Sequence, residues 1–250
     1  MPPRSTNLDL APCSSCGGSG WEPVEDKGVR PCHCRIETRS ETLLEKARIP
    51  TRFQSCSLEN FDAYCQSMQR AVMFSRKFVD EYPLVDVGIL YQGSCGVGKT
   101  HLAVAVLRAL IRKGIPGLFY DFRDLLKEIQ DSYNPNTHSS ELQILAPVLE
   151  AEVLVLDELG ASKPTEWVHE TITHIINRRY NERKITIFTT NFLDLAVGTQ
   201  YAEPLTDRIG VRIRSRLFEM CRQILIEGEE DRDPDYRKSI QSSRGRRFSQ

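Results

Sequence analysis

The chain of 250 residues has no surplus of charge of either sign: 33 Lys and Arg face 34 Asp and Glu, for a formal net charge of -1. That excludes a protein that coats nucleic acid through general basicity and leaves only local patches for such contacts. No apolar run approaches the roughly 18 residues that span a bilayer. The longest, Leu102 to Ile111, is broken by Arg108. The first residues, Met1-Pro2-Pro3-Arg4-Ser5-Thr6-Asn7, lack the apolar stretch of a secretory leader. A cytoplasmic protein without membrane attachment is expected. In that compartment 8 cysteines do not make a disulfide framework. Four of them fall between Cys13 and Cys34, a clustering that needs its own cause.

What is present suffices for a core, with 40% hydrophobic and 27% charged residues. Residues 1–38 are rich in Cys, Gly, Pro and Ser and read as a separate small module. Residues 39–60 read as a linker and lead-in, with a short helix over 39–49 that ends at Pro50. Residues 61–228 form the main domain, and 229–250 a charged, Ser/Arg-rich tail. Tyr64, Met68, Val72 and Val79 predict a helix over 64–82. From Val87 onward, strands over 87–91, 117–120, 153–156, 185–189 and 223–226 alternate with helices over 99–112, 122–131, 165–182 and 204–219. Ser132 to Ser140 reads as a polar loop. Short, continuously apolar strands between helices predict an α/β fold: a five-stranded parallel sheet with helices on both faces.

Gly93-Ser94-Cys95-Gly96-Val97-Gly98-Lys99-Thr100 fits the phosphate-loop pattern at every fixed position, after a strand and opening a helix. Glycines let backbone N–H groups wrap a phosphate, and the helix N-terminus adds partial positive charge. Lys99 would reach the β- and γ-phosphates and Thr100 would bind Mg²⁺. Val153-Leu154-Val155-Leu156-Asp157-Glu158 puts two carboxylates at the C-terminal end of a strand, where open α/β sheets bind ligands. Asp157 would hold Mg²⁺ and Glu158 would polarise the attacking water. Phe188-Thr189-Thr190-Asn191 ends a strand in polar groups, and Asn191 would orient that water. Arg208, Arg212 and Arg216, four apart, are expected along one helix face. Such a like-charged row is costly unless it meets an anion, and a neighbouring subunit's nucleotide would supply one.

Cys13-x-x-Cys16 and Cys32-x-Cys34 suit one tetrahedral, structural Zn²⁺, whose binding would supply the folding energy of a module too small to fold well alone. His33 is expected to point away, and Trp21 to cover the site. Cys56, Cys65 and Cys221 read as small buried hydrophobes, whereas Cys95 lies in the phosphate loop.

These motifs together resemble the DnaC/DnaI-type bacterial helicase loaders and their IstB transposition-helper relatives, which are AAA+ ATPases. The resemblance rests on the phosphate loop, Leu156-Asp157-Glu158-Leu159-Gly160, Thr189-Thr190-Asn191 and Arg212-Ile213-Arg214-Ser215-Arg216-Leu217. It extends to Ala47-Arg48-Ile49-Pro50-Thr51-Arg52-Phe53 with Leu58-Glu59-Asn60-Phe61, a segment that commonly lies near the adenine. It also includes the two cysteine pairs, which look like a zinc module found on many loaders. It implies ATP or ADP held along Gly93, Ser94, Cys95, Gly96, Val97, Gly98, Lys99, Thr100 and His101, although His101 alone would read as packing. It further implies Walker B residues Asp157 and Glu158, sensor 1 Asn191, an arginine finger Arg216 with Arg212 as companion, and Arg237 or Arg232 as sensor 2. No α-helical lid is implied, because only about 24 residues follow Ile226. The implied partners are a replicative DNA helicase, engaged by the N-terminal module, single-stranded DNA, gripped near Arg123 and Lys127, and further copies of the chain. A transposition helper beside a transposase, or a zinc-dependent adaptor with a structural nucleotide, would share parts of this pattern.

Overall fold

Strand residues of the main sheet point alternately to two helical layers, as the two-residue pleat requires. The computed structural model describes residues 13–24, 28–134, 140–194 and 203–228. Five strands, β3 (Gly88–Gln92), β4 (Gly117–Asp121), β5 (Val153–Asp157), β6 (Ile185–Thr190) and β7 (Cys221–Leu225), form a parallel sheet in the order β4-β5-β6-β3-β7. Ile89, Tyr91, Val153, Val155 and Ile187 face the layer of α2 (Gln66–Glu81) and α3 (Lys99–Arg112). Leu90, Leu154, Leu156 and Phe188 face α4 (Phe122–Ser132), α5 (Glu141–Glu150), α6 (Glu166–Asn181) and the short pair α7 (Leu205–Ile209) and α8 (Val211–Met220). The expected sheet with helices on both faces is therefore present. Among the described residues, no helix is long and apolar enough to cross a membrane.

Ahead of the sheet, β1 (Trp21–Val24) and β2 (Gly28–Pro31) form an antiparallel pair. Helix α1 (His33–Lys46) follows and runs without a break past residue 38. Ser40 Oγ donates to the carbonyls of Ile111 and Arg112 at the end of α3. Ala47 and Ile49 are buried in the main core, and the Ala47 carbonyl accepts from the Phe119 N–H at the sheet edge. The first part of the expected linker, through Lys46, is thus helix, and that helix is packed against the sheet domain.

Besides the β1–β2 pair and the earlier start of α1, three elements differ from expectation. Helix α5 lies where no element was expected, started by a capping box in which Ser140 Oγ accepts from the Gln143 N–H and Gln143 Oε1 from the Ser140 N–H. The single helix expected over 204–219 is two, parted at Gly210, whose φ of 81° and ψ of 153° belong to a region that glycine alone adopts readily. The last strand is Cys221–Leu225, two residues earlier at its start than expected. The break at Gly210 also removes Arg208 from the helix that carries Arg212 and Arg216.

Arg179 joins three of these elements. Its fully buried guanidinium donates to the carbonyls of Val148 and Ala151 at 2.9 Å, of Ile185 at 2.7 Å, and to Thr186 Oγ1 at 2.8 Å. Carbonyls at a helix C-terminus lack partners within the helix, and Arg179 supplies them for α5. Burial lowers its pKa to about 10, so it stays charged at neutral pH. Arg179→Met should cost about 2–4 kcal/mol, because carbonyls would be left buried without donors. Urea unfolding should register this as a lower midpoint at unchanged slope.

Candidate nucleotide site and cysteine cluster

The carboxyl ends of β3, β5 and β6 open onto a cleft of about 910 Å³ whose walls include Gly96, Gly98, Lys99, Thr100, Asp157, Glu158 and Asn191. A larger hollow of about 1350 Å³ lies at the opposite ends of the strands, near Gly88, Arg179 and Ile185. Ligands of open parallel sheets bind at the carboxyl ends, and the motif residues gather there.

At two glycines of the phosphate loop a side chain would also collide with its surroundings. Gly98 has φ of 94°, and a Cβ there would come within 2.5 Å of the Phe61 ring; a Cβ on Gly93 would meet the Ile226 carbonyl at 2.1 Å. Lys99, the first residue of α3, is buried and donates through Nζ to the carbonyls of Gly93 at 2.9 Å and Ser94 at 2.7 Å. Burial lowers its pKa, opposed by Cys95, Asp157 and Glu158. Thr100 Oγ1 donates to both Asp157 oxygens, at 3.0 and 3.1 Å, and Thr189 Oγ1 donates to Oδ1 at 2.5 Å. Threonine hydroxyl, carboxylate and phosphate loop are the hard oxygen ligands and anion cradle that a Mg²⁺-nucleotide requires.

Glu158 takes a left-handed φ of 57°. The turn is over-determined by β6: the Glu158 N–H donates to Thr189 Oγ1 at 3.0 Å, and the Leu159 N–H to the Thr189 carbonyl at 2.8 Å. The Glu158 carboxylate accepts from Arg123 near the start of α4. Sequence reasoning missed this pair, because residues 35 apart in sequence meet only when β4 and β5 lie side by side.

The segment from Pro50 to Tyr64 straps across α3. His101 Nε2 lies 3.0 Å from both the Ser57 carbonyl and Asn60 Oδ1, and the ring meets Phe61 edge-on at 5.2 Å. The His101 side chain pins the strap and also lines the cleft, where Arg52, Phe53, Phe61 and Tyr64 add to the wall.

The arginines expected on one face have separate environments. Arg208, on α7, pairs with Glu203 at 2.6 Å and stacks on Phe192 at 4.6 Å. Arg212 is exposed on α8. Arg216 donates to Asn177 Oδ1 on α6 and lies 5.7 Å from the Tyr180 ring. Neither Arg212 nor Arg216 lines the cleft of its own chain. Arg232 and Arg237 lie outside the described residues.

Cys13, Cys16, Cys32 and Cys34 bring their sulfurs within 4.8 Å of one another. Cys13 and Cys32 are 3.7 Å apart and Cys16 and Cys34 3.5 Å. Zn–S bonds of about 2.3 Å at tetrahedral angles place sulfurs about 3.8 Å apart, so this quartet fits zinc. Burial opposes ionisation of Cys16, but hydrogen bonds from the Gly20 backbone and Cys34 outweigh it and bring its thiol to about 6. His33 does not point away, since its ring nitrogens lie 3.4 Å from Cys32 Sγ and 3.8 Å from Cys13 Sγ. Trp21 packs beneath the Arg35 guanidinium at 4.2 Å.

Burial raises the pKa of Asp157 to about 6, against the two threonine hydrogen bonds. A carboxyl whose folded pKa exceeds the unfolded value of about 3.9 loses stabilisation as pH rises from about 4 through 6. Asp157→Asn should therefore unfold at higher denaturant than wild type at pH 8, by on the order of 2 kcal/mol, with the gap closing toward pH 4. Denaturant titrations of both proteins across that range measure it.

The family described as IstB-like ATP binding protein matches residues 32–239. The Replicative helicase loader DnaC of Escherichia coli (strain K12) is 27% identical over 200 residues, covering 79% of this chain and 78% of that protein. A crystal structure of the DnaC helicase loader superposes with a TM-score of 0.62 at 35% identity, over 71% of this chain and 99% of that one. That of DnaI superposes with a TM-score of 0.60 at 28% identity, over 78% and 100%. The chain belongs to the IstB-like ATP binding proteins and is an AAA+ ATPase of the DnaC/DnaI type.

Proposed function

We propose that this chain is an ATP-dependent loader of a replicative DNA helicase. The reading rests on one juxtaposition: Lys99, Thr100, Asp157, Glu158 and Asn191 share a single cleft, in a chain that matches the loader DnaC over 79% of its length. Residues 61–228 serve as the ATPase domain, 1–38 as a zinc module that engages the helicase, 39–60 as the connection and 229–250 as a tail, with Arg237 or Arg232 as sensor 2.

The backbone of Gly93, Ser94, Cys95, Gly96, Val97 and Gly98, with Lys99, holds the triphosphate. Thr100 and Asp157 hold Mg²⁺, which neutralises charge on the transferring phosphoryl group when bound. Glu158 polarises the attacking water and Asn191 orients it. Arg216, with Arg212 beside it, reaches the nucleotide of a neighbouring copy, so turnover requires self-association. Charge supports this choice: Arg208 and Arg214 each face a carboxylate, whereas Arg216 faces the neutral amide of Asn177. Single-stranded DNA is the second partner. Arg123 and Lys127 both lie on α4, and DNA phosphates that draw Arg123 away would free Glu158.

A transposition helper is the alternative, since the matched family is described only as IstB-like ATP binding protein. The two separate on partner choice. Gel filtration with ATP should give a complex with the replicative helicase of the same organism, and helicase assembly on single-stranded DNA should rise. A complex with a transposase from that genome and none with the helicase would overturn the loader reading.

Two further outcomes are expected. Glu158→Gln, Asn191→Ala and Arg216→Ala should each lower turnover at least about tenfold while leaving nucleotide affinity within about twofold. Phosphate release and fluorescent-nucleotide titration measure the two quantities, and loss of nucleotide binding in Arg216→Ala would contradict a role in trans. Elemental analysis of the purified full-length chain should find one zinc, lost in Cys34→Ser together with ordered structure in residues 13–34. Native folding with no metal would remove the zinc assignment.

A further inference from the structure

Beyond β6, the chain runs Asn191-Phe192-Leu193-Asp194, and α7 and α8 grip its last three residues. The Phe192 ring lies under the Arg208 guanidinium at 4.6 Å. The Leu193 carbonyl accepts from the Leu205 N–H at 2.8 Å. The Asp194 carboxylate accepts from both Nε and Nη2 of Arg214, a two-pronged pair that fixes orientation as well as distance. Arg214 also packs over the Phe218 ring at 4.3 Å, so its guanidinium is held from two sides.

These grips reach both ends of the chemistry. Asn191 lines the cleft one residue before Phe192. Gly160, two residues after Glu158, leaves little room for a side chain: a Cβ there would lie 3.2 Å from the Arg208 Cβ and 3.3 Å from the Phe192 ring. Helix α7 is thus seated directly on the turn that follows Glu158. Past Gly210, α8 anchors Ile213 and Leu217 in the core and carries Arg212 and Arg216 on either side of Arg214. Rotation of α8 would turn Arg216, and the Asp194–Arg214 pair opposes it.

We propose that Asp194 and Arg214 are positioning residues that tie the strand end bearing Asn191 to the helix bearing Arg216. Each subunit's cleft thereby sets the arginine that it offers to its neighbour. This rests on the reading that Arg216 acts in trans. Arg212 and Arg216 meet the neighbour's nucleotide; Arg214 does not, because its fork is occupied within its own chain. Substitution at Arg214 should then damage the site next door rather than its own.

Mixed oligomers of the full-length, zinc-loaded chain test this. Arg214→Ala alone should lower kcat at least about tenfold, with KM for ATP and fluorescent-nucleotide affinity within about twofold. Glu158→Gln alone should be inactive but retain sound arginines. An equal mixture should recover about a quarter of wild-type turnover, the share of interfaces that join a sound cleft to a sound finger at random. A parallel mixture of Arg216→Ala with Glu158→Gln separates the two readings. Recovery in both mixtures supports the proposal. Recovery only with Arg216→Ala overturns it and keeps the trans reading, while recovery in neither overturns both. Should Arg214→Ala fail to fold, Asp194→Arg and Arg214→Asp serve instead. Each alone should lose turnover, and the double variant should regain at least about fivefold over either. Wild-type turnover in both single variants would overturn the proposal as well.

Discussion

A buried carboxylate organises this molecule. Asp157 ends strand β5, next to the central strand β6, and its two oxygens are held by hydroxyls from α3 and β6. An ion out of water is costly unless hydrogen bonds or cations repay it. Two threonines offset part of the cost, but burial, with the charges of Asp121 and Glu158, still holds its pKa up to about 6. That residue of unfavourable energy makes the site receptive to a divalent cation. Strand order follows from the same need. Only a parallel sheet with β3 and β5 on either side of β6 lets the phosphate loop, the carboxylate pair and the polar end of β6 converge at one edge.

The strap and α1 extend that edge to the far end of the chain. Cys34 lies in the first turn of α1, and the helix then packs along α3, whose first residue is Lys99. From Ala47 the chain turns along the sheet edge, where Arg48 stacks on Tyr120 at 4.1 Å and pairs with Glu128. It then crosses to Phe61 and His101 beside the phosphate loop. The cysteine cluster is thereby joined to the nucleotide cleft by a rigid helix and a pinned strap. A partner that seats on the cluster would act on an element that already touches the loop.

The parts legible in sequence are those where chemistry dictates residue type over a short span. Phosphate wrapping needs glycines at set positions before Lys99, and thiolate ligation needs paired cysteines, so both patterns sit within a few residues. Strand runs such as Val153-Leu154-Val155-Leu156 were legible because burial on both faces leaves no polar position. Helix α5 was illegible by hydrophobic period, since Pro147 sits within it, although Ser140-x-x-Gln143 carried its start signal. The break at Gly210 was hidden because a glycine inside an amphipathic pattern is tolerated as often as it divides one. Arg123 with Glu158, Arg179 with Val148 and Asp194 with Arg214 are tertiary pairs, and no local pattern marks them.

The arginines near the C-terminus illustrate what spacing conceals. Read as a row, Arg208, Arg212 and Arg216 are equivalent, and Arg214 is absent from it. In the fold, each partner assigns a different task. A carboxylate fixes a guanidinium and neutralises it, so Arg208 beside Glu203 and Arg214 beside Asp194 hold their own chain in shape. A neutral amide orients a guanidinium without neutralising it, and Arg216 lies beside Asn177. The same side chain is thus charge-paired or not according to its neighbour. Because Arg214 lies between Arg212 and Arg216 on one short helix, a change in the grip of α8 on Asp194 would, on the proposed reading, also re-aim Arg216.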